Sequence, residues 1–171
     1  IAYRKFPQDT GNARVFTMSD AKPTKTTNPI HFEDLDPKRF EDLVRELIYD
    51  FRDWQTIEAT GKGGGDDGFD IRAYERASTI TIDGDGDEVV RPMEGNVWMI
   101  QCKREKTIPP SKVRKILEDI DPSNPPYGYI LVAATNFSKK AYDAFREELT
   151  KLGVLEFYLW GNATLETELY Q

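Results

Sequence analysis

Six consecutive apolar residues, Tyr129-Ile130-Leu131-Val132-Ala133-Ala134, constrain the fold of this chain more than any other stretch. A strand with one solvated face alternates apolar with polar side chains, so an unbroken run of this length reads as a strand covered on both faces. The cover is written on either side of it. Pro109-Pro110 breaks the chain, and Ser111 is expected to cap a helix running to about Ile120 with Val113, Ile116, Leu117 and Ile120 on its apolar face. Ser138 caps a second helix, Lys139 to Leu152, which Gly153 ends. Val97 to Lys103 precedes this unit as a strand and Val154 to Trp160 follows it as another. Strands joined through helices require parallel crossovers.

The first half of the chain builds differently. Asp36 and Pro37 suit the cap and first position of a helix to about Arg52, in which Phe40, Leu43, Val44, Leu47, Ile48 and Phe51 form one apolar stripe. Glu41 lies beside that stripe, where it can look into a cleft. Thr56 to Thr60 reads as a short strand ended by glycines, and Phe69 to Ala77 as the next, with Asp70 near its start. Thr79 to Val90 reads as a hairpin, and Leu165 to Leu169 as a short terminal helix. The fold class expected is α/β, a mixed sheet flanked by helices, with the early strands antiparallel. Residues 1–31 read as an arm, in which Ala13 to Phe16 could pair as an edge strand. Residues 32–171 read as one domain with a hairpin insertion over about 78–96.

Charge and composition narrow the chemistry. With 30 acidic against 23 basic residues the formal net charge is -7, so a polyanion must meet a local basic patch rather than the whole surface. Arg104, Lys106, Lys112, Arg114 and Lys115 form the one dense patch, and Lys62 on the glycine loop can add to it. A solvated helix face explains Lys112 and Lys115 nearly as well. The single cysteine, Cys102, and single histidine, His31, exclude an internal disulfide and a His-rich zinc site, and a reducing cytoplasm fits best. No apolar run reaches membrane-spanning length. The acidic turn Asp83 to Asp87 invites a calcium-loop reading but departs from it at Glu88, where that loop needs Gly.

Gln101 and Lys103 are two apart on a strand and share a face, with Cys102 pointing to the other. Asp70 on a neighbouring strand can complete an oxygen-rich pocket with the Gln101 amide and a nearby backbone carbonyl, of the kind that holds Mg²⁺ or Mn²⁺. Taken singly, each piece has a plainer reading. Asp is common at turns, Gln-x-Lys at solvated strand ends, and Gly63-Gly64-Gly65 in simple loops. The phosphate-cradling P-loop is excluded because Gly61-Lys62 is followed by Gly.

Taken together, Leu35 to Val44, Thr60 to Ile71 and Ile100-Gln101-Cys102-Lys103-Arg104 resemble the Mrr-type restriction endonuclease domain of the PD-(D/E)XK nuclease superfamily. The resemblance covers residue 32 onward and implies a core order of helix, three strands, helix, strand. It implies that Asp70 binds the metal, that Gln101 replaces the usual acidic residue, and that Lys103 is the catalytic lysine. Glu41 on the first helix then restores an acidic ligand, the Cys102 backbone carbonyl is a further one, and Asp66 and Asp67 are weaker candidates. The expected activity is Mg²⁺-dependent cleavage of double-stranded DNA by the effector part of a larger restriction or antiphage defence protein, in which homo-oligomers would cut both strands. The alternatives are an inactive nucleic-acid-binding or assembly module of the same fold, and a nuclease acting on RNA or on DNA junctions.

Overall fold

The computed structural model describes residues 29–60, 70–82, 88–93 and 95–170, with side chains of 78–82 and 88–93 outside the description. The elements are α1 (Pro37–Tyr49), β1 (Trp54–Ala59), β2 (Ile71–Glu75), β3 (Ala77–Ile82), β4 (Glu88–Met93), β5 (Val97–Lys103), α2 (Pro110–Leu117), β6 (Gly128–Ala133), α3 (Lys139–Leu152), β7 (Glu156–Trp160) and α4 (Asn162–Leu169). Five strands form one sheet in the order β1-β2-β5-β6-β7. The first three are antiparallel neighbours, and β5-β6 and β6-β7 are parallel, as helix-linked strands must be. Among the described residues no helix is long and apolar enough to cross a membrane.

Every residue of β6 is buried, because each face of this interior strand has its own core. Ile130, Val132 and Ala134 pack with Phe40, Val44 and Ile48 of α1 and with Trp98 and Ile100 of β5. Tyr129, Leu131 and Ala133 pack on the other side with Val113 and Leu117 of α2 and Phe145 and Leu149 of α3. Burying a large apolar side chain contributes about 1.5–3 kcal/mol, so a strand that serves two cores contributes heavily to the packing. α1 is capped by the Asp36 side chain, which accepts from the Lys38 amide at 2.9 Å. α3 is capped by Ser138 and ends at Gly153, whose φ of 80° lies in the left-handed region that glycine tolerates.

Several details differ from the sequence expectation: α1 ends at Tyr49 and α2 at Leu117, short of Arg52 and Ile120, and the cap of α2 and the start of β1 change as well. Ser111 does not cap α2: Pro109 occupies the cap position without a side-chain hydrogen bond, and Pro110 is the first helical residue. Two prolines fix the entry angle by their own φ, which removes the need for a hydroxyl cap. β1 also starts earlier than expected, at Trp54, whose indole donates to the Ile48 carbonyl at 2.6 Å and ties the strand to the end of α1.

The hairpin β3-β4 is a separate two-stranded ribbon, paired from Ala77↔Met93 to Ile82↔Glu88. It leaves the sheet after Glu75 and re-enters before Val97, and Tyr74 pairs with Val97 at that end. Asp70 lies at the opposite end of β2. The insertion is therefore rooted away from the residues expected to carry chemistry. Its acidic turn, the 1–28 segment, and Lys62, Asp66 and Asp67 lie outside the described residues.

Candidate nuclease site

Asp70 is the residue just before β2, and its backbone is anchored on both sides. Its amide donates to the Ile100 carbonyl at 3.2 Å, and its carbonyl accepts from the Thr60 amide at 3.0 Å. The side chain then reaches across to β5. Asp70 Oδ2 accepts from the backbone N–H of Cys102 at 2.6 Å, which places the carboxylate beside the Gln101–Cys102 peptide. A charge-assisted bond of this kind is shorter and stronger than one between neutral groups.

The sheet divides the remaining residues between its two faces. Trp98, Ile100 and Cys102 face the α1 core. Met99 faces the α2/α3 core, and alternation puts Gln101 and Lys103 on that side. Gln101 is only 3% exposed, and its Oε1 accepts from the buried Tyr129 hydroxyl at 2.7 Å. Lys103 is half-buried at the end of β5.

Glu41 is half-buried on α1, the helix whose core residues share a cluster with Cys102. Burial pushes the Cys102 thiol well above its ordinary value, and the negative charges of Asp70 and Glu41 add to that while Lys103 opposes it. Asp70 also contributes to holding the Tyr129 phenol well above its usual range, after burial and the charge of Asp119. The Asp70 charge is thus felt by Cys102 on one face of the sheet and by Tyr129 on the other.

The donors present are carboxylate and amide oxygens. Among the described residues no three His, Cys, Asp or Glu side chains gather as a metal cage. Two carboxylates and an amide oxygen suit a hard cation that retains several waters, and not a closed site for a soft metal. In these terms the residues fit Mg²⁺ or Mn²⁺.

The basic patch is more internally engaged than its sequence implies. Arg104 donates to the Leu35 carbonyl at 2.6 Å, and Lys106 pairs with Glu33 at 3.3 Å, so both hold the turn that leads into α1. Lys112 pairs with Glu105 at 2.6 Å, and Arg114 with Glu148 at 3.2 Å. Lys115 stands exposed on α2. Tyr129 is the residue that sequence reasoning passed over. Its only signal was a phenol inside an otherwise aliphatic run, since a buried tyrosine hydroxyl needs a partner.

A helix, three antiparallel strands, a helix and a parallel strand, with Asp70 locked against β5, make up the restriction-endonuclease-like fold. Residues 32–155 match the restriction endonuclease family, in its Mrr-type catalytic domain, and the chain belongs to that family. Two solved structures are similar to it. One is the MspJI restriction endonuclease in complex with a 27-mer oligonucleotide, at 16% identity over 81% of this chain and 28% of that one, with a TM-score of 0.42. The other is the DNA modification-dependent restriction endonuclease AspBHI, at 16% identity over 84% of this chain and 31% of that one, with a TM-score of 0.40. The chain spans less than a third of either. No curated protein sequence matches it.

Proposed function

We propose that this chain is a metal-dependent endonuclease domain that hydrolyses phosphodiester bonds in double-stranded DNA, with the domain proper over 32–171. The observation that carries the reading is the Asp70 carboxylate held at 2.6 Å by the Cys102 amide, between Gln101 and Lys103. Asp70, Glu41, the Gln101 amide oxygen and the Cys102 backbone carbonyl would hold Mg²⁺ or Mn²⁺. A cation there would polarise a phosphate oxygen and offset charge that develops on the phosphate.

The chain's own residues do the rest. The Cys102 N–H keeps the Asp70 carboxylate in one orientation. The Lys103 ammonium orients the attacking water and places a positive charge where the transition state is most negative. Lys115 on α2, with Lys62, contacts backbone phosphates without reading bases. Arg104, Lys106, Lys112 and Arg114 serve the same surface less directly, because intramolecular acceptors already hold them.

The domain acts as the effector part of a larger restriction or antiphage defence protein in the cytoplasm. Pairing of two such domains would cut both strands. The second reading, an inactive binding module, is motivated by Gln101, which stands where the family's pattern has a carboxylate. Incubation with supercoiled plasmid, single-stranded RNA and a four-way DNA junction, each with Mg²⁺ and with Mn²⁺, separates the readings. Nicking of plasmid alone supports the proposal. Cleavage confined to RNA or to the junction replaces the substrate, and binding without cleavage of any of them favours the inactive module.

A further inference from the structure

Gln differs from Asp and Glu in one respect that matters at a metal site. A carboxylate offers two equivalent oxygens, whereas half a turn of an amide exchanges an acceptor oxygen for a donor NH₂ that cannot bind a cation. A chain that places Gln at this position therefore needs something to decide which end faces the metal. Tyr129 is placed to do it. It lies on β6 in register with Met99, on the same face as Gln101, and is fully buried. Its hydroxyl donates to Gln101 Oε1 at 2.7 Å. An amide oxygen has two lone pairs, and a hydroxyl on one is compatible with a cation on the other. Metal ligands are commonly oriented by such outer partners.

We infer that Tyr129 is a positioning residue that holds the Gln101 amide with its oxygen available to the metal, a task that a carboxylate at this position would not require. This rests on the metal-dependent reading of the site given above.

The test measures Mn²⁺ binding by calorimetry, without substrate, for wild type, Tyr129→Phe, Gln101→Glu, the double variant and Asp70→Asn. Tyr129→Phe weakens Mn²⁺ binding by about 10-fold, the lower end of what loss of an outer partner costs. Gln101→Glu binds Mn²⁺ more tightly than wild type, since it restores a charge. In the Gln101→Glu background the added Tyr129→Phe changes binding by less than about 3-fold, because either oxygen serves. Equal losses in both backgrounds, or none with Gln101, would mean that Tyr129 only fills a buried position, and would overturn the inference. Weaker binding by Gln101→Glu alone would show that the side-chain oxygen at this position is not a metal ligand, and overturns the inference without relying on the tyrosine variant. If Asp70→Asn abolishes binding while Tyr129→Phe leaves it unchanged, the metal site stands and only the role of Tyr129 falls. If wild type and Asp70→Asn bind Mn²⁺ alike, the metal-site reading falls and takes the inference with it.

Discussion

The Asp70 carboxylate accepts the backbone N–H of Cys102 at 2.6 Å, so the start of β2 is tied to β5 at the Gln101–Cys102 peptide. The bond leaves a signature that needs no substrate. Asp70 and Glu41 both raise the Cys102 thiol, after burial, so Asp70→Asn and Glu41→Gln should each lower its pKa. Thiolate absorbance titrated against pH reads this directly. A thiol that titrates identically in all three proteins would mean that neither carboxylate lies near it.

The same thiol makes stability fall in alkali. The folded state holds the thiol proton more tightly than the unfolded chain does, so the contribution is fully present below the unfolded thiol's value of roughly 8.5. It is lost as pH rises from there toward the folded value, where the unfolded state gains by releasing its proton. Cys102→Ala should flatten the decline in denaturant midpoint across that alkaline window. Equal slopes for the two proteins would contradict the shift.

Arg104 should behave as a structural residue and Lys115 as a phosphate contact. Arg104→Ala removes the charge-assisted bond to the Leu35 carbonyl and should lower unfolding free energy by about 1.5–3 kcal/mol, with little change in the salt dependence of DNA binding. Lys115→Ala should leave stability within about 0.5 kcal/mol and reduce the slope of log affinity against log salt by about 1. Urea titration and fluorescence anisotropy at several salt concentrations separate the two. The reverse pattern would make Arg104 the DNA contact.

Much of this was legible in local sequence. The apolar run at β6, the Ser138 cap, the Gly153 stop and the Asp36-Pro37 start depend on neighbours within one turn or one strand, and the structure has each of them. Alternation alone assigned Gln101 and Lys103 to one face and Cys102 to the other. What could not be read were pairings between distant segments. Arg104 meets Leu35 across 69 positions and Gln101 meets Tyr129 across 28, and no periodicity encodes either. The patch of cations looked like a ready phosphate surface for the same reason, because its acidic partners Glu33 and Glu148 are remote in sequence.

Gly128 shows how tightly the far end of the sheet is packed. A Cβ there would lie 2.2 Å from the Trp98 ring, and Trp98 is fully buried. Gly128→Ala should cost about 1–3 kcal/mol by overpacking, read as a lower urea midpoint, while Mn²⁺ affinity of the folded fraction stays unchanged. A neutral substitution would mean that the indole has room to move.

The measurement that bears most directly on the central claim is cleavage of supercoiled plasmid by wild type, Asp70→Asn and Lys103→Ala in Mn²⁺, with plasmid binding followed in the same samples. The account predicts nicking by wild type and a loss of about 100-fold or more in each variant, with binding retained, because each removes a group that acts on the reacting phosphate. Nicking that persists at the wild-type rate in both variants would contradict it.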